Sequence, residues 1–149
     1  MEKATFAAGC FWGVEEAFRK IKGVISTKVG YTGGHVENPT YREVCQKTTG
    51  HAESIEIEFD PQIISYQELL EIFWQIHDPT SIDKQGLDIG NQYRSAIFYH
   101  NKQQQKTAEL SKDEIQSKLS KKVVTSIEPA QTFYPAEEYH QKYIQKKNG

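Results

Sequence analysis

Two cysteines are the residues of this sequence best suited to covalent chemistry. Cys10 follows a glycine, where a first apolar stretch ends and a helical pattern begins. The free N–H groups and the dipole of a helix N-terminus favour an anion, so we expect the pKa of this thiol to be lowered. Cys10 also lies one turn before Val14 on the apolar stripe, as a buried structural thiol would. From its position alone, Cys10 could therefore be either a nucleophile or a buried structural thiol.

The neighbours of Cys10 are unusual for a residue that only packs. Residues 9–13 have the sequence GCFWG, with two large aromatic side chains between glycines. Phe11 and Trp12 cannot both lie on the apolar stripe of Val14 and Phe18, so at least one of them should face a pocket or solvent. An aromatic surface beside a thiol suits an apolar substrate group. The alternative is that Trp12 belongs to the ordinary core.

Two local patterns indicate how these residues are positioned. Ile55, Ile57 and Phe59 alternate with acidic residues, which is the period of a strand with one face in water. Ser65 and Glu68 form a capping-box sequence, which predicts a helix that begins there. The chain around the candidate site therefore combines strands and helices.

The remaining patterns complete the predicted order of elements. Further strands are expected at residues 3–8, 24–31, 94–99 and 123–127, and irregular segments at 32–50 and 81–92. Helices are expected after Cys10 up to Gly23, from Ser65 to about Asp78 and from Asn101 to about Ser120, with a helical turn at 137–143. The order β-α-β-β-α-β, then α-β, predicts an α+β fold: a ferredoxin-like two-layer sandwich with an extra C-terminal helix, strand and irregular segments. This architecture hosts many functions and does not decide between them.

Length and composition narrow the function classes. A chain of 149 residues predicts one domain, residues 1–149. The formal net charge of −2 argues against a protein that mainly binds nucleic acid or anionic membrane, and 8 Tyr, 7 Phe and 2 Trp argue against disorder. No stretch approaches the ~18 apolar residues of a membrane span, and the N-terminus lacks a secretion signal. We therefore expect a cytoplasmic protein, and most simply a monomer.

Residues 9–13 resemble the active-site signature of the peptide methionine sulfoxide reductase A family, whose members reduce the S epimer of methionine sulfoxide. The resemblance covers nearly the whole chain. It continues, in order, through residues 29–34, 41–45, 49–53, 90–95 and 133–141. Agreement of several ordered motifs is far more specific than one pentad.

The resemblance implies a role for each matching residue. By this resemblance, Cys10 is the nucleophile, and Phe11 and Trp12 form the wall for the substrate methyl group. Glu53 occupies the position of the family's active-site carboxylate. The hydroxyls of Tyr41 and Tyr93 point at the sulfoxide oxygen, and Asp88 is part of the polar rim. A sulfoxide oxygen leaves poorly until it is protonated, so an acid is needed close by. A Glu in an apolar pocket should have a raised pKa and could supply that proton. The expected products are methionine and a sulfenic acid on Cys10.

The residues themselves leave some of these roles open. Glu53 could be an exposed charge like Glu56 and Glu58, but by strand parity it shares the face of Ile55. Tyr41 and Tyr93 could be surface aromatics of their loops. His51, His77 and His140 show no metal-ligand spacing with either cysteine, so we assign no metal and no other cofactor.

The sequence departs from the family pattern in two places. Many members carry resolving cysteines in a C-terminal tail, which this sequence lacks, so the candidate resolver is Cys45. A disulfide with Cys10 would then be reduced by a thioredoxin-type donor. The alternative is a buried Cys45 and direct reduction of the sulfenic acid by an external thiol such as dithiothreitol. Leu87 stands where an asparagine is common.

Two other function classes remain possible from the sequence. One is a cysteine hydrolase that pairs Cys10 with His51 or His140, although no local signature supports it. The other is a ferredoxin-like binding module with inert cysteines. The reductase hypothesis expects oxidised proteins or peptides and a thioredoxin-type reductant as partners, and neither nucleic acid nor membrane.

Overall fold

The computed structural model describes residues 1–148. The strands are β1 (Glu2–Ala8), β2 (Val24–Thr32), β3 (Ala52–Phe59), β4 (Lys84–Gln85), β5 (Asp88–Ile89), β6 (Ser95–Tyr99), β7 (Ser126–Pro129) and β8 (Tyr134–Pro135). The helices are α1 (Phe11–Arg19), α2 (Tyr41–Cys45), α3 (Tyr66–Gln75), α4 (Lys102–Lys118) and α5 (Tyr143–Asn148), with 3₁₀ turns at Asn91–Tyr93 and Glu138–His140.

A mixed six-stranded sheet organises the molecule. Its strand order is β7-β6-β1-β3-β2-β8, and a separate hairpin pairs β4 with β5. All neighbours in the large sheet are antiparallel except β6 and β7, which are parallel. The fold is therefore α+β, as the sequence predicts, with β1 and β3 near its centre.

Apolar side chains on the two faces of the sheet form two clusters of unequal size. The larger cluster takes Phe6 from β1 and Phe18, Phe73 and Ala108 from α1, α3 and α4. The Phe6 ring centroid lies 5.7 Å from that of Phe18 and 5.1 Å from that of Phe73. The second cluster consists of Ala7, Ala52, Ala96 and Phe98. Burial of α1 on the sheet fixes the helix N-terminus that carries Cys10.

The capping-box prediction for α3 is confirmed by both of its hydrogen bonds. The Glu68 backbone N–H donates to Ser65 Oγ at 3.1 Å, and the Ser65 N–H donates to Glu68 Oε1 at 3.1 Å. Helix α4 begins as expected, because Asn101 Oδ1 accepts from the Gln104 N–H at 2.9 Å. Such signals are enough to predict where a helix begins, because the donor and the acceptor are only three residues apart in the sequence.

Several predicted boundaries were wrong. Helix α1 ends at Arg19 instead of near Gly23, because the chain leaves it through tight turns that end at Gly23, whose φ is +101°. Strand β7 begins at Ser126 instead of residue 123, because the Val124 N–H donates to Pro79 O at 2.8 Å and is not available to the sheet. Segments 32–50 and 81–92, expected to be irregular, contain α2 and the β4–β5 hairpin.

Among residues 1–148, no helix is long and apolar enough to cross a membrane.

Candidate active site

Cys10 occupies the N-cap position of α1, and Gly9 separates it from the end of β1. Its side chain is half-buried, and the Val14 N–H donates to the Cys10 carbonyl to begin the helix. Burial raises the pKa of the Cys10 thiol to about 11, with a further upward contribution from the negative charge of Glu53. Hydrogen bonds from the N–H groups of Trp12 and Gly13 lower it, as the sequence analysis expected, but do not compensate. The prediction of a lowered pKa was therefore wrong for this state of the site.

Glu53 is a buried carboxyl group beside the start of α1. It lies opposite Tyr31 in the β2–β3 ladder and is 1% exposed, so strand parity correctly placed it on the apolar face. Glu53 Oε1 accepts a 3.2 Å hydrogen bond from the Phe11 N–H, whereas Oε2 has no partner among residues 1–148. Burial raises the pKa of Glu53 to about 8, and the negative charge of Asp88 adds to the effect. At neutral pH this group is mostly a neutral acid.

The two aromatic residues after Cys10 are placed differently. Phe11 is buried in the core, with its ring centroid 5.7 Å from Tyr31 and 6.4 Å from Tyr41. Trp12 is only half-buried and stacks on Tyr143, with 3.9 Å between centroids and 10° between planes. Of the two, Trp12 is thus the one that lies off the buried stripe of α1.

Tyr41 and Cys45 lie one turn apart on the short helix α2. The Tyr41 N–H donates to Glu137 Oε2 at 3.2 Å, which ties the start of α2 to the C-terminal segment. Burial raises the pKa of Cys45, and a hydrogen bond with the Tyr41 side chain lowers it. Burial and the negative charge of Glu53 both raise the pKa of Tyr41. Cys45 is half-buried and forms no disulfide, so the alternative of a buried Cys45 does not match its exposure.

Asp88 and Tyr93 border the same site from the segment between α3 and β6. Asp88 is exposed on the β4–β5 hairpin, and its negative charge raises the pKa values of Cys10 and Glu53. The pKa of Tyr93 is raised to about 12. Burial is the main cause, and the negative charges of Glu53, Cys45, Asp88 and Cys10 raise it further. These charge effects indicate that Cys10, Glu53, Asp88 and Tyr93 lie close enough for each other's charges to matter. Leu87, at the hairpin tip, is 99% exposed.

The histidines considered as partners of Cys10 are engaged elsewhere. His51 Nδ1 accepts from the Gly34 N–H at 3.0 Å, and His51 Nε2 lies 2.6 Å from Val36 O. His140 Nδ1 accepts from Trp12 Nε1–H at 2.8 Å. The charged groups acting on Cys10 are Glu53 and Asp88, so the geometry does not favour the hydrolase. Within the described range, no three His, Cys, Asp or Glu side chains are grouped to hold a metal ion.

The C-terminal segment contributes Glu137 and Tyr143, for which the sequence patterns predict no role, and His140, which they suggest only as a hydrolase partner of Cys10. Glu137 Oε1 accepts from the Tyr31 hydroxyl at 3.1 Å, while its other oxygen holds Tyr41. His140 and Tyr143 cover Trp12. These contacts join residues about a hundred positions apart, for which no local pattern exists. Helix α2 could have been predicted from the sequence, because Thr40 and Glu43 form a capping box. The glycines in the surrounding segment led to its assignment as irregular.

A thiol, a carboxyl group that is mostly neutral at neutral pH and aromatic side chains are thus grouped near the start of α1, and the charge of Glu53 acts on Cys10, Tyr41 and Tyr93. A family model for peptide methionine sulfoxide reductases matches residues 2–149. The chain belongs to this family. A peptide methionine sulfoxide reductase MsrA of Methanothermobacter thermautotrophicus is 58% identical over 147 residues, which cover 97% of this chain and 87% of the relative. The resemblance carried by residues 9–13 is thus confirmed, and the enzyme class is peptide-methionine (S)-S-oxide reductase.

Solved structures of a yeast relative match the reductase over nearly its full length. Reduced Mxr1 of Saccharomyces cerevisiae has a TM-score of 0.94 at 39% identity, covering 99% of this chain and 86% of Mxr1. Mxr1 in an unusual oxidised form has a TM-score of 0.76 at 38% identity, covering 97% and 81%. Mxr1 in complex with Trx2 has a TM-score of 0.68 at 30% identity, covering 95% and 84%. Of these three Mxr1 structures, the reduced form has the highest TM-score with this chain.

Proposed function

We propose that this reductase converts the S epimer of methionine sulfoxide, peptide-bound and free, to methionine through attack of Cys10 on the substrate sulfur. The observation that carries the proposal is the buried Glu53 beside Cys10. It keeps one oxygen on the Phe11 N–H and leaves the other unpartnered among residues 1–148. Its pKa of about 8 keeps it protonated at neutral pH, as an acid for the sulfoxide oxygen must be.

The proposed first step balances without an outside oxidant or reductant. Glu53 donates its proton to the sulfoxide oxygen while the Cys10 sulfur bonds to the substrate sulfur, and the thiol proton replaces the one that Glu53 gave. The protonated oxygen then moves from the substrate sulfur to the Cys10 sulfur. The bonds from the substrate sulfur to oxygen and to Cys10 both break; one of the two released electron pairs forms the new S–O bond of Cys10, and the other stays on the substrate sulfur as a lone pair. The products are methionine and the sulfenic acid of Cys10. Protonated Glu53 also removes the charge that opposes ionisation of Cys10.

Selection between epimers follows from three fixed directions around the substrate sulfur. In this proposal the methyl group lies against Phe11 and Trp12, and Cys10 approaches from a second direction. The oxygen points to Glu53. The hydroxyls of Tyr41 and Tyr93 hydrogen-bond the same oxygen, and Asp88 borders the rim. Exchange of the methyl and oxygen positions would put a polar group on an aromatic wall and leave Glu53 unused, at a cost in transition-state stability.

The proposed second step forms a disulfide between Cys10 and Cys45. The Cys45 thiol attacks the sulfenic sulfur, water leaves, and an external dithiol of the thioredoxin type reduces the disulfide. Support comes from the charge of Glu53, which acts on both Cys10 and Cys45, and from the yeast relative solved in complex with Trx2. Direct reduction of the sulfenic acid by an external thiol is the alternative.

We propose a monomeric, single-domain enzyme over residues 1–149 that works in the cytoplasm without a metal or prosthetic group. The core order β6-β1-β3-β2, with α1 and α3 as the connecting helices, supports the ferredoxin-like description.

A single-turnover assay tests the function. Reduced enzyme is mixed with the separated S and R epimers of a methionine sulfoxide peptide, and free thiols are counted before and after. We expect loss of the S epimer alone with loss of two thiols. Loss of one thiol would retain the reductase and remove Cys45 from the cycle. Turnover by Cys10→Ser, or no consumption of either epimer by the wild type, would refute the mechanism.

A further inference from the structure

Leu87 is an apolar side chain that the fold leaves in water. It lies in the turn of the β4–β5 hairpin and is 99% exposed, more than any other large apolar residue among those that the structure describes. Turn positions favour glycine, proline and small polar residues, because these suit the turn backbone or hydrogen-bond to it. Neither packing within the chain nor turn formation therefore accounts for a leucine at this position.

The hairpin is held firmly by hydrogen bonds at its base. Gln85 Oε1 accepts from the Asp78 N–H at 2.8 Å, and Gln85 Nε2 donates to the Asp78 carbonyl at 2.8 Å. The Gly90 N–H donates to the Asp83 carbonyl at 2.8 Å and extends the pairing of β4 with β5. The tip that carries Leu87 is therefore fixed relative to the end of α3.

Two observations place the hairpin tip at the rim of the active site. Gly9, the residue before Cys10, lies against the hairpin, since a Cβ at Gly9 would be 2.9 Å from Gln85 Cγ. Asp88 pairs with Gln85, and its negative charge raises the pKa of the Cys10 thiol. Leu87 directly precedes Asp88. The exposed leucine therefore borders the space in which a substrate would meet the thiol.

The two faces of the hairpin have different surroundings. Gln85 and Asp88 are directly opposed, so their side chains share one face, the face against Gly9. Lys84 and Ile89 are the next opposed pair, so their side chains lie on the other face. Ile89 is 65% exposed. The hairpin thus has a second exposed apolar side chain that points away from the site.

We propose that Leu87 is a specificity-determining residue that contacts an apolar side chain flanking the methionine sulfoxide of a polypeptide substrate. This inference rests on the proposed function and narrows its substrate class. An extended chain advances about 3.3 Å per residue, so residues one to three positions from the sulfoxide come within reach of a side chain at the rim. The contact removes apolar surface of both partners from water. Free methionine sulfoxide has no flanking side chain and cannot make it.

The chemistry of methionine explains why apolar flanks suit this enzyme. Methionine is among the residues most often buried, and its oxidation to the sulfoxide disrupts apolar cores. A sulfoxide that becomes accessible when such a core opens therefore has apolar neighbours. Asp88, exposed beside the tip, adds a negative charge that disfavours acidic flanks. Oxidised, partly unfolded polypeptides match both features of the rim.

The kinetic test uses S-sulfoxide peptides flanked on both sides by leucine or by asparagine, with free methionine S-sulfoxide as reference and dithiothreitol as reductant. We expect the wild type to have about fivefold to tenfold higher kcat/KM for the leucine-flanked peptide. Leu87→Asn should lower this ratio to about twofold or less and leave kcat/KM for free methionine sulfoxide unchanged. Leu87→Met stays apolar and should retain the preference. A ratio unchanged in Leu87→Asn would overturn the proposal.

Ile89→Thr is the matched control. It removes an exposed apolar side chain from the other face of the same hairpin and keeps a β-branched residue in the strand. The preference for leucine flanks should persist in this variant. If Ile89→Thr lowered the ratio as much as Leu87→Asn, the cause would be the apolar character of the whole hairpin, and the contact at the tip would be refuted.

Binding of the product separates this inference from the proposed function. Methionine peptides are titrated into the reduced enzyme while the Leu87 methyl signals, identified by their loss in Leu87→Asn, are followed by ¹³C NMR. The leucine-flanked peptide should shift them far more than the asparagine-flanked one. If the wild type showed these shifts but reduced neither epimer, the function would fail while the contact stood. Equal reduction of both peptides would refute the contact and leave the function.

Two other occupants of the tip would also overturn the proposal. One is the reductant: with thioredoxin, Leu87→Asn would then raise only KM for thioredoxin and leave the peptide ratio unchanged. The other is a second copy of this chain. Analytical ultracentrifugation would then show a wild-type dimer that Leu87→Asn dissociates, again with an unchanged peptide ratio.

Discussion

The buried carboxyl group of Glu53 makes the stability of the reductase depend on pH in the direction opposite to that of most carboxylates. Burial raises the pKa of Glu53 from its ordinary value of 4.5 to about 8, so the folded state holds the proton more tightly than the unfolded chain does. The free energy of unfolding should therefore fall as pH rises from 4.5 to about 8, and level off above. At ~1.4 kcal/mol per pH unit, the loss is at most ~5 kcal/mol.

Glu53→Gln is the perturbation that isolates this effect. Glutamine is neutral at every pH, and its carbonyl oxygen can still accept from the Phe11 N–H. Its amide adds a buried donor where Glu53 Oε2 lacked a partner, at a cost of ~1–3 kcal/mol that does not change with pH. Relative to the parent, the variant should therefore gain several kcal/mol between pH 5 and pH 9.

Urea unfolding at pH 5 and pH 9 measures this change. The protein with Glu53 and the Glu53→Gln variant should both carry Cys10→Ser. The charge of Glu53 contributes to the raised pKa of Cys10, so the Cys10 thiol would otherwise titrate differently in the two proteins. Glu58→Gln, on the opposite face of β3, is the matched control and should show no such gain. The quantity to compare is the difference in the free energy of unfolding between the proteins with and without Glu53→Gln. If this difference changed by less than ~1 kcal/mol between pH 5 and pH 9, Glu53 would not have the raised pKa argued here.

Three further predictions concern catalysis and local structure. The single-turnover rate of the wild type should fall as pH rises through about 8, because Glu53 then loses the proton it donates. Glu53→Gln should lower that rate by ~10²–10⁴-fold. A stopped-flow pH profile in which the wild-type rate does not fall above pH 8 would contradict the role of Glu53 as the acid. Cys45→Ser should release one equivalent of methionine and then stop with thioredoxin as reductant, and sustained thioredoxin-dependent turnover would remove Cys45 from the cycle. Ser65→Ala should lower the free energy of unfolding by ~1 kcal/mol without changing kcat/KM, since it deletes only the cap of α3; thermal unfolding and steady-state assays check both.

The local signals of the sequence located the elements that present the candidate residues. The cap at Ser65 and the alternation of β3 act between near neighbours, and both give the element that the structure contains. Parity along β3 also identified Glu53 as the unusual carboxylate on an apolar face. The roles of these residues in catalysis stay predictions that the experiments above test.

The sequence by itself thus determined that a glycine–cysteine pair would begin a helix after a strand, and which family the chain resembles, because both depend on short, ordered patterns. Only the tertiary structure decided the electrostatics and the support of the site. The thiol of Cys10 is harder to ionise than its helix position implies, because burial and the charge of Glu53, 43 residues away, outweigh the helix N–H groups. The partner of Trp12 is 128 residues distant. Desolvation and contacts between distant segments depend on three-dimensional packing, which no local pattern encodes.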